Sequence, residues 1–94
     1  MKPIVIYTST VCPYCTMAKR LLERKGITEW TEINAGFSRE VWQEMTTKTG
    51  RRTVPQIFIG DVHVGGYDDL SALDRAGKLD ALLGVETIDR SDVT

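Results

Sequence analysis

Ile4-Val5-Ile6-Tyr7-Thr8-Ser9-Thr10-Val11-Cys12-Pro13-Tyr14-Cys15-Thr16-Met17-Ala18 is the stretch that decides how this chain folds. Its first part, with Pro3 before it, is a short apolar, β-branched run that predicts a strand over 3–8. Met17, Ala18, Leu21 and Leu22 then recur at helical spacing as far as Gly26, which predicts a helix over 13–25. Both cysteines of the chain lie where the two meet. Pro13 suits the first helical position, where a missing N–H costs nothing, so Cys12 falls at the N-cap and Cys15 within the first turn. Unpaired backbone N–H groups at that end face the Cys12 sulfur and, with the macrodipole, favour a thiolate there.

Other uses of the two thiols fit less well. A zinc site needs four ligands, and beyond the cysteines the chain offers only His63 and scattered carboxylates. A structural disulfide between positions three apart would close a tiny loop and restrain little chain. Redox exchange is the chemistry that suits the pair. Ninety-four residues with 41 % apolar content make one domain. Twelve basic against thirteen acidic side chains give a net charge of −1, so no general field attracts nucleic acid or a membrane surface. No export signal or long apolar span is visible, and a turned-over Cys-x-x-Cys pair suits a reducing compartment, so the cytoplasm is expected.

Beyond the first helix, Ile27 to Ile33 reads as a second strand of mixed polarity, and Ser38 as the N-cap of a helix through about Lys48, closed by Gly50. Val41 and Met45 fall on the inner face of that helix. Gln56 to Ile59 and Val62 to Val64 flank Gly60-Asp61, the signature of a two-residue hairpin. Asp68 and Asp69 open a helix carrying Leu70 and Leu73, and a short one follows with Leu79, Leu82 and Leu83. The order is β-α-β-α-β-β-α, an α/β fold with a four-stranded mixed sheet covered by helices on both faces. Its first two strands are parallel and its last two antiparallel. The domain is expected to span 1–85, and Glu86 to Thr94, without periodicity, to form a disordered tail. Read by residue chemistry alone, Pro55 is either cis or a trans residue opening the third strand, and Gly65-Gly66 with Asp68-Asp69 is either a ligand cradle or a capped turn.

Three separated motifs resemble those of the glutaredoxins. They are Cys12-Pro13-Tyr14-Cys15, Thr53-Val54-Pro55-Gln56-Ile57-Phe58-Ile59 and Gly65-Gly66-Tyr67-Asp68-Asp69-Leu70. The likeness runs from about Ile4 to Leu83, and the order and spacing of the motifs make it specific. It implies a thioredoxin-like fold and a glutathione-dependent thiol–disulfide oxidoreductase acting on protein disulfides and glutathionylated proteins. Cys12 would be the nucleophile and Cys15 the resolving thiol. Tyr14, Thr53, Val54, Pro55, Gly66, Tyr67, Asp68 and Asp69 would contact glutathione, Pro55 in the cis form. Glutathione would serve as co-substrate to a monomer with no permanently bound cofactor or metal.

A cis Val54–Pro55 bond would turn the Val54 backbone toward the cysteines, where an extended substrate could pair with it as an added strand. The N-terminus opened by Asp68-Asp69 could hold the γ-glutamyl carboxylate, with an Asp carboxylate for its ammonium. The chain also departs from the family pattern. Ser9 stands where many members have a lysine and Trp42 where they often have an arginine or glutamine, both serving the glycine carboxylate of glutathione. Arg39, Arg51 and Arg52 are the cations available in their place. Tyr67 replaces a further cysteine common in relatives. Among the remaining conspicuous residues, Met17 is expected in the core and Trp30 against the sheet. Trp42 is expected on its own helix or at the ligand, and His63 at the surface, facing outward from its strand.

Overall fold

The structure is a computed structural model that describes residues 2–84; the predicted tail, 86–94, lies outside the described residues. The elements are β1 (Ile4–Thr8), α1 (Pro13–Arg24), β2 (Thr31–Asn34), α2 (Arg39–Thr49), β3 (Gln56–Ile59), β4 (Val62–Gly65), α3 (Tyr67–Arg75) and α4 (Leu79–Leu83). They build one sheet of order β2-β1-β3-β4, with β1 parallel to β2 and antiparallel to β3, and β3 antiparallel to β4. This is the predicted mixed sheet.

Alternation along β1 assigns the two faces. Ile4 and Ile6 join Ala18, Leu21, Leu22, Ile57, Ile59, Leu70, Leu79 and Leu83 in the larger core beneath α1, α3 and α4. Tyr7, with Val5 and Phe58, meets Ala35, Val41, Trp42 and Met45 on the α2 side. Trp30 packs against the first core and Trp42 against the second, as side chains of partial burial. At the far end of α1, Lys25 Nζ reaches Asp74 at 2.6 Å and Asp80 at 3.2 Å, tying that helix to α3 and α4. Ser38 Oγ accepts from the Val41 N–H at 3.3 Å, and Gly50, at φ 71°, closes α2 as the sequence predicts. No helix among the described residues is long and apolar enough to cross a membrane.

The structure corrects three expectations. β2 begins at Thr31 rather than Ile27, because parallel pairing to β1 starts with Val5 opposite Thr31. Ile27 is fully buried nonetheless, held by its N–H on Leu22 O at 3.0 Å as α1 ends. Met17 is 42 % exposed, since the buried stripe of α1 runs through Cys15, Ala18, Leu21 and Leu22 and leaves it outside. His63 is neither lone nor outward-facing. Val64, next to it, packs on the larger core, so alternation turns His63 to the α2 side, where its ring lies 5.0 Å from that of Phe58.

Candidate active site

Cys12 has extended backbone (φ −153°, ψ 101°) and caps α1, with Pro13 as the first helical residue. Its sulfur accepts from the Cys15 N–H at 3.3 Å and lies 3.7 Å from the carbonyl oxygen of Val54. Both cysteines are free thiols. Cys12 is half-buried, whereas Cys15 is 2 % exposed. Burial, and next the hydrogen bond to Cys12, push the Cys15 thiol up to about 12. The two sulfurs are thus unequal: one at a helix end and open to attack, the other sealed and protonated at neutral pH.

The Val54–Pro55 peptide bond is cis. The segment containing it borders a cleft of about 340 Å³ lined by Tyr14, Arg51, Thr53, Val54, Pro55, Gly66, Tyr67, Asp68 and Asp69. All eight residues expected around the cysteines to contact glutathione therefore fall in one cleft, and Cys12 meets its edge through Val54. Tyr14 and Tyr67, from α1 and α3, form its aromatic side, with ring centroids 6.4 Å apart.

α3 starts at Tyr67, one residue earlier than read from Asp68, with Gly66 as N-cap. Asp69 sits in its first turn, where its Oδ2 accepts from the Gly66 N–H at 2.9 Å and from Arg51 Nη1 at 2.8 Å. The Arg51 guanidinium, then the Gly66 N–H, hold the Asp69 carboxyl below its usual range. Gly65 is required beside this pair: its φ is 114°, and a Cβ there would collide with Asp69 Oδ2. Of the three candidate arginines, Arg51 lines the cleft, while Arg39 and Arg52 line a separate depression with Trp42.

Sequence reasoning missed a network behind the cleft. Gln56 is fully buried. Its Nε2 donates to Thr53 O at 3.0 Å and to Thr53 Oγ1 at 3.2 Å, and its Oε1 lies 2.8 Å from His63 Nε2. A polar residue opening the apolar strand Gln56-Ile57-Phe58-Ile59 was the available signal. The contact with His63 depends on the irregular β3–β4 register at Ile57/Phe58, which the sequence does not display.

A mixed four-stranded sheet, with a Cys-x-x-Cys pair capping the helix after its first strand and a cis-proline segment facing it, is the architecture of the thioredoxin-like thiol–disulfide oxidoreductases. Residues 4–64 match the glutaredoxin family model. The chain belongs to the glutaredoxin family and is a thiol–disulfide oxidoreductase. It is 58 % identical to a Pseudomonas aeruginosa glutaredoxin over 88 % of this chain and 98 % of that one. It is 48 % identical to glutaredoxin 3 of Escherichia coli over 88 % and 99 % of the two chains. Among solved structures it resembles a Brucella melitensis glutaredoxin (TM-score 0.78, 57 % identity, 88 % and 89 % covered). It also resembles a buckwheat glutaredoxin–glutathione complex (TM-score 0.79, 32 % identity, 88 % and 77 % covered).

Proposed function

We propose that this protein reduces protein disulfides and glutathione mixed disulfides at the expense of glutathione, with Cys12 as nucleophile and Cys15 as resolving thiol. The observation that carries the reading is the cleft beside Cys12, which presents peptide backbone, a helix N-terminus and an Arg51–Asp69 pair together. A γ-glutamyl group carries a carboxylate and an ammonium on one carbon. The helix N–H groups and Arg51 suit the first, and Asp69 suits the second. The cysteinyl unit pairs with the Val54 backbone, which brings its sulfur to Cys12. The buckwheat relative, crystallised with glutathione, supports the same ligand.

The Cys12 thiolate attacks the glutathione sulfur of a mixed disulfide, and the protein thiolate departs and takes a proton. A second glutathione thiolate then attacks the glutathione sulfur now on Cys12, releasing oxidised glutathione and restoring the Cys12 thiolate. With a protein disulfide, Cys12 instead becomes bound to the substrate, and Cys15 displaces it by forming the Cys12–Cys15 disulfide. The inequality of the two thiols supports this order. The hydrogen bond to Cys12 and its charge contribute to holding Cys15 protonated, so converting Cys12 to a mixed disulfide lowers the barrier to ionising Cys15 at the moment it is needed.

The test is turnover of a glutathionylated peptide with glutathione, NADPH and glutathione reductase. Steady NADPH oxidation that requires both glutathione and Cys12 is the expected result. Reduction driven by thioredoxin reductase and not by glutathione would refute the assignment.

A further inference from the structure

We propose that His63, acting through Gln56, is a positioning residue for thiol–disulfide exchange: it fixes the Thr53–Val54 backbone that receives the substrate. The inference rests on the strand-pairing role given to Val54 above. Gln56 joins the two ends of the relay, since one side chain holds Thr53 O and Oγ1 through Nε2 and meets His63 through Oε1. Because the Gln56 nitrogen is committed to Thr53, its oxygen must accept, and His63 must carry its proton on Nε2. The interaction therefore fixes the tautomer. The Phe58 ring lies tilted against the imidazole, with centroids 5.0 Å apart. Burial, with Arg51 second, lowers the His63 pKa, which favours the neutral ring.

The consequence reaches the reacting sulfur in two steps along the chain. Thr53 precedes Val54, and the Val54 carbonyl lies 3.7 Å from Cys12 Sγ. Gln56 is fully buried, so without the His63 donor its oxygen would lose a partner where water does not readily replace it. The amide could then turn over or shift, and the Thr53 carbonyl would lose its anchor. Arg51 and Asp69 bond to each other and to the Gly66 N–H at the start of α3, and reach His63 through their charges.

The experiment compares His63→Leu, which removes the donor, with His63→Gln, whose amide can donate from a similar place. Two substrates are used, a glutathionylated peptide with glutathione and insulin with dithiothreitol. His63→Leu is expected to raise KM for both about three- to tenfold, the reach of one neutral hydrogen bond. His63→Gln should return KM to within about twofold of the parent value on the same scale. Alkylation of Cys12 by iodoacetamide, which needs no strand pairing, should be unchanged in both. If His63→Leu does not fold, Gln56→Met removes the donor to Thr53 at similar volume and must raise KM in the same way. Unchanged KM in the folded donor-less variant overturns the proposal, as does equal impairment of His63→Gln and His63→Leu. If the parent protein does not turn over the glutathionylated peptide but the insulin KM responds as stated, the glutathione assignment falls and the positioning role stands.

Discussion

Exchanging each cysteine for serine separately tests the inequality of the two thiols. Cys15 is 2 % exposed and its thiol is pushed up to about 12. At pH 7 that leaves only a trace of Cys15 ionised, far less than of an ordinary cysteine. Thiolate population alone thus slows Cys15 on the order of a thousandfold relative to an ordinary cysteine, before restricted access to its sulfur is counted. In Cys12→Ser the burial of Cys15 persists, and the serine hydroxyl remains beside it, while the charge of a Cys12 thiolate is lost. Part of the slowing therefore disappears. Alkylation of Cys15 in Cys12→Ser should remain at least about a hundredfold slower than alkylation of Cys12 in Cys15→Ser. The assay is iodoacetamide modification at pH 7, followed by intact-mass spectrometry and paired with turnover of a glutathionylated peptide. Cys12→Ser should lose turnover. Cys15→Ser should keep it, because a second glutathione resolves the Cys12 adduct, but should accumulate a mixed disulfide with protein disulfide substrates. Comparable alkylation rates, or turnover surviving in Cys12→Ser, would refute the reasoning.

Asp69→Ala removes the acceptor for the Gly66 N–H and the partner of Arg51. It should cost about 1–2 kcal/mol, mostly from the lost cap because the exposed ion pair adds little, and lower Tm by about 4–8 °C for each kcal/mol. Asp69→Asn should regain most of the Tm, by circular dichroism, yet still show a raised KM for glutathione; a parental KM would leave Asp69 a capping residue only. Gly65→Ala should lower the stability by more than about 1 kcal/mol, read as a fall in the urea midpoint, since it combines a left-handed φ with a collision at Asp69. An unchanged midpoint would mean that α3 shifts freely at its start. Acid should weaken the fold in a defined window. Arg51 and the Gly66 N–H depress the Asp69 carboxyl, and Lys19, with Trp30 and Thr8, depresses that of Glu32. Their stabilisation is complete above the unfolded values of about 4 and is lost as pH falls through the lower folded values. Urea midpoints should therefore decline from about pH 4.5 downward, less steeply in Asp69→Asn; equal slopes would show that Asp69 contributes nothing.

Features under local chemical control were legible along the chain. Pro13 at the first helical position placed Cys12 at the N-cap, Ser38 and Gly50 bounded α2, and Gly60, at φ 59°, turned the hairpin. These features rest on backbone preferences of a few neighbouring residues, which composition and spacing display. The residues of the cleft were legible for a different reason, since three motifs in fixed order carry the family likeness. Tertiary structure decided which side chains pair across those motifs. Arg51 rather than Arg39 or Arg52 lines the cleft because the chain entering β3 brings it against the first turn of α3. His63 lies against Phe58 and Gln56, half-buried, because both faces of the sheet are covered and period-two alternation turns it to the α2 side. Met17 shows the converse: its apolar character fits a helical stripe, but only docking of α1 on the sheet and α3 fixed which stripe was buried. Local rules give periods and ends. The rotation of a helix about its axis, and the partner of a buried polar group, are set by contacts between segments distant along the chain.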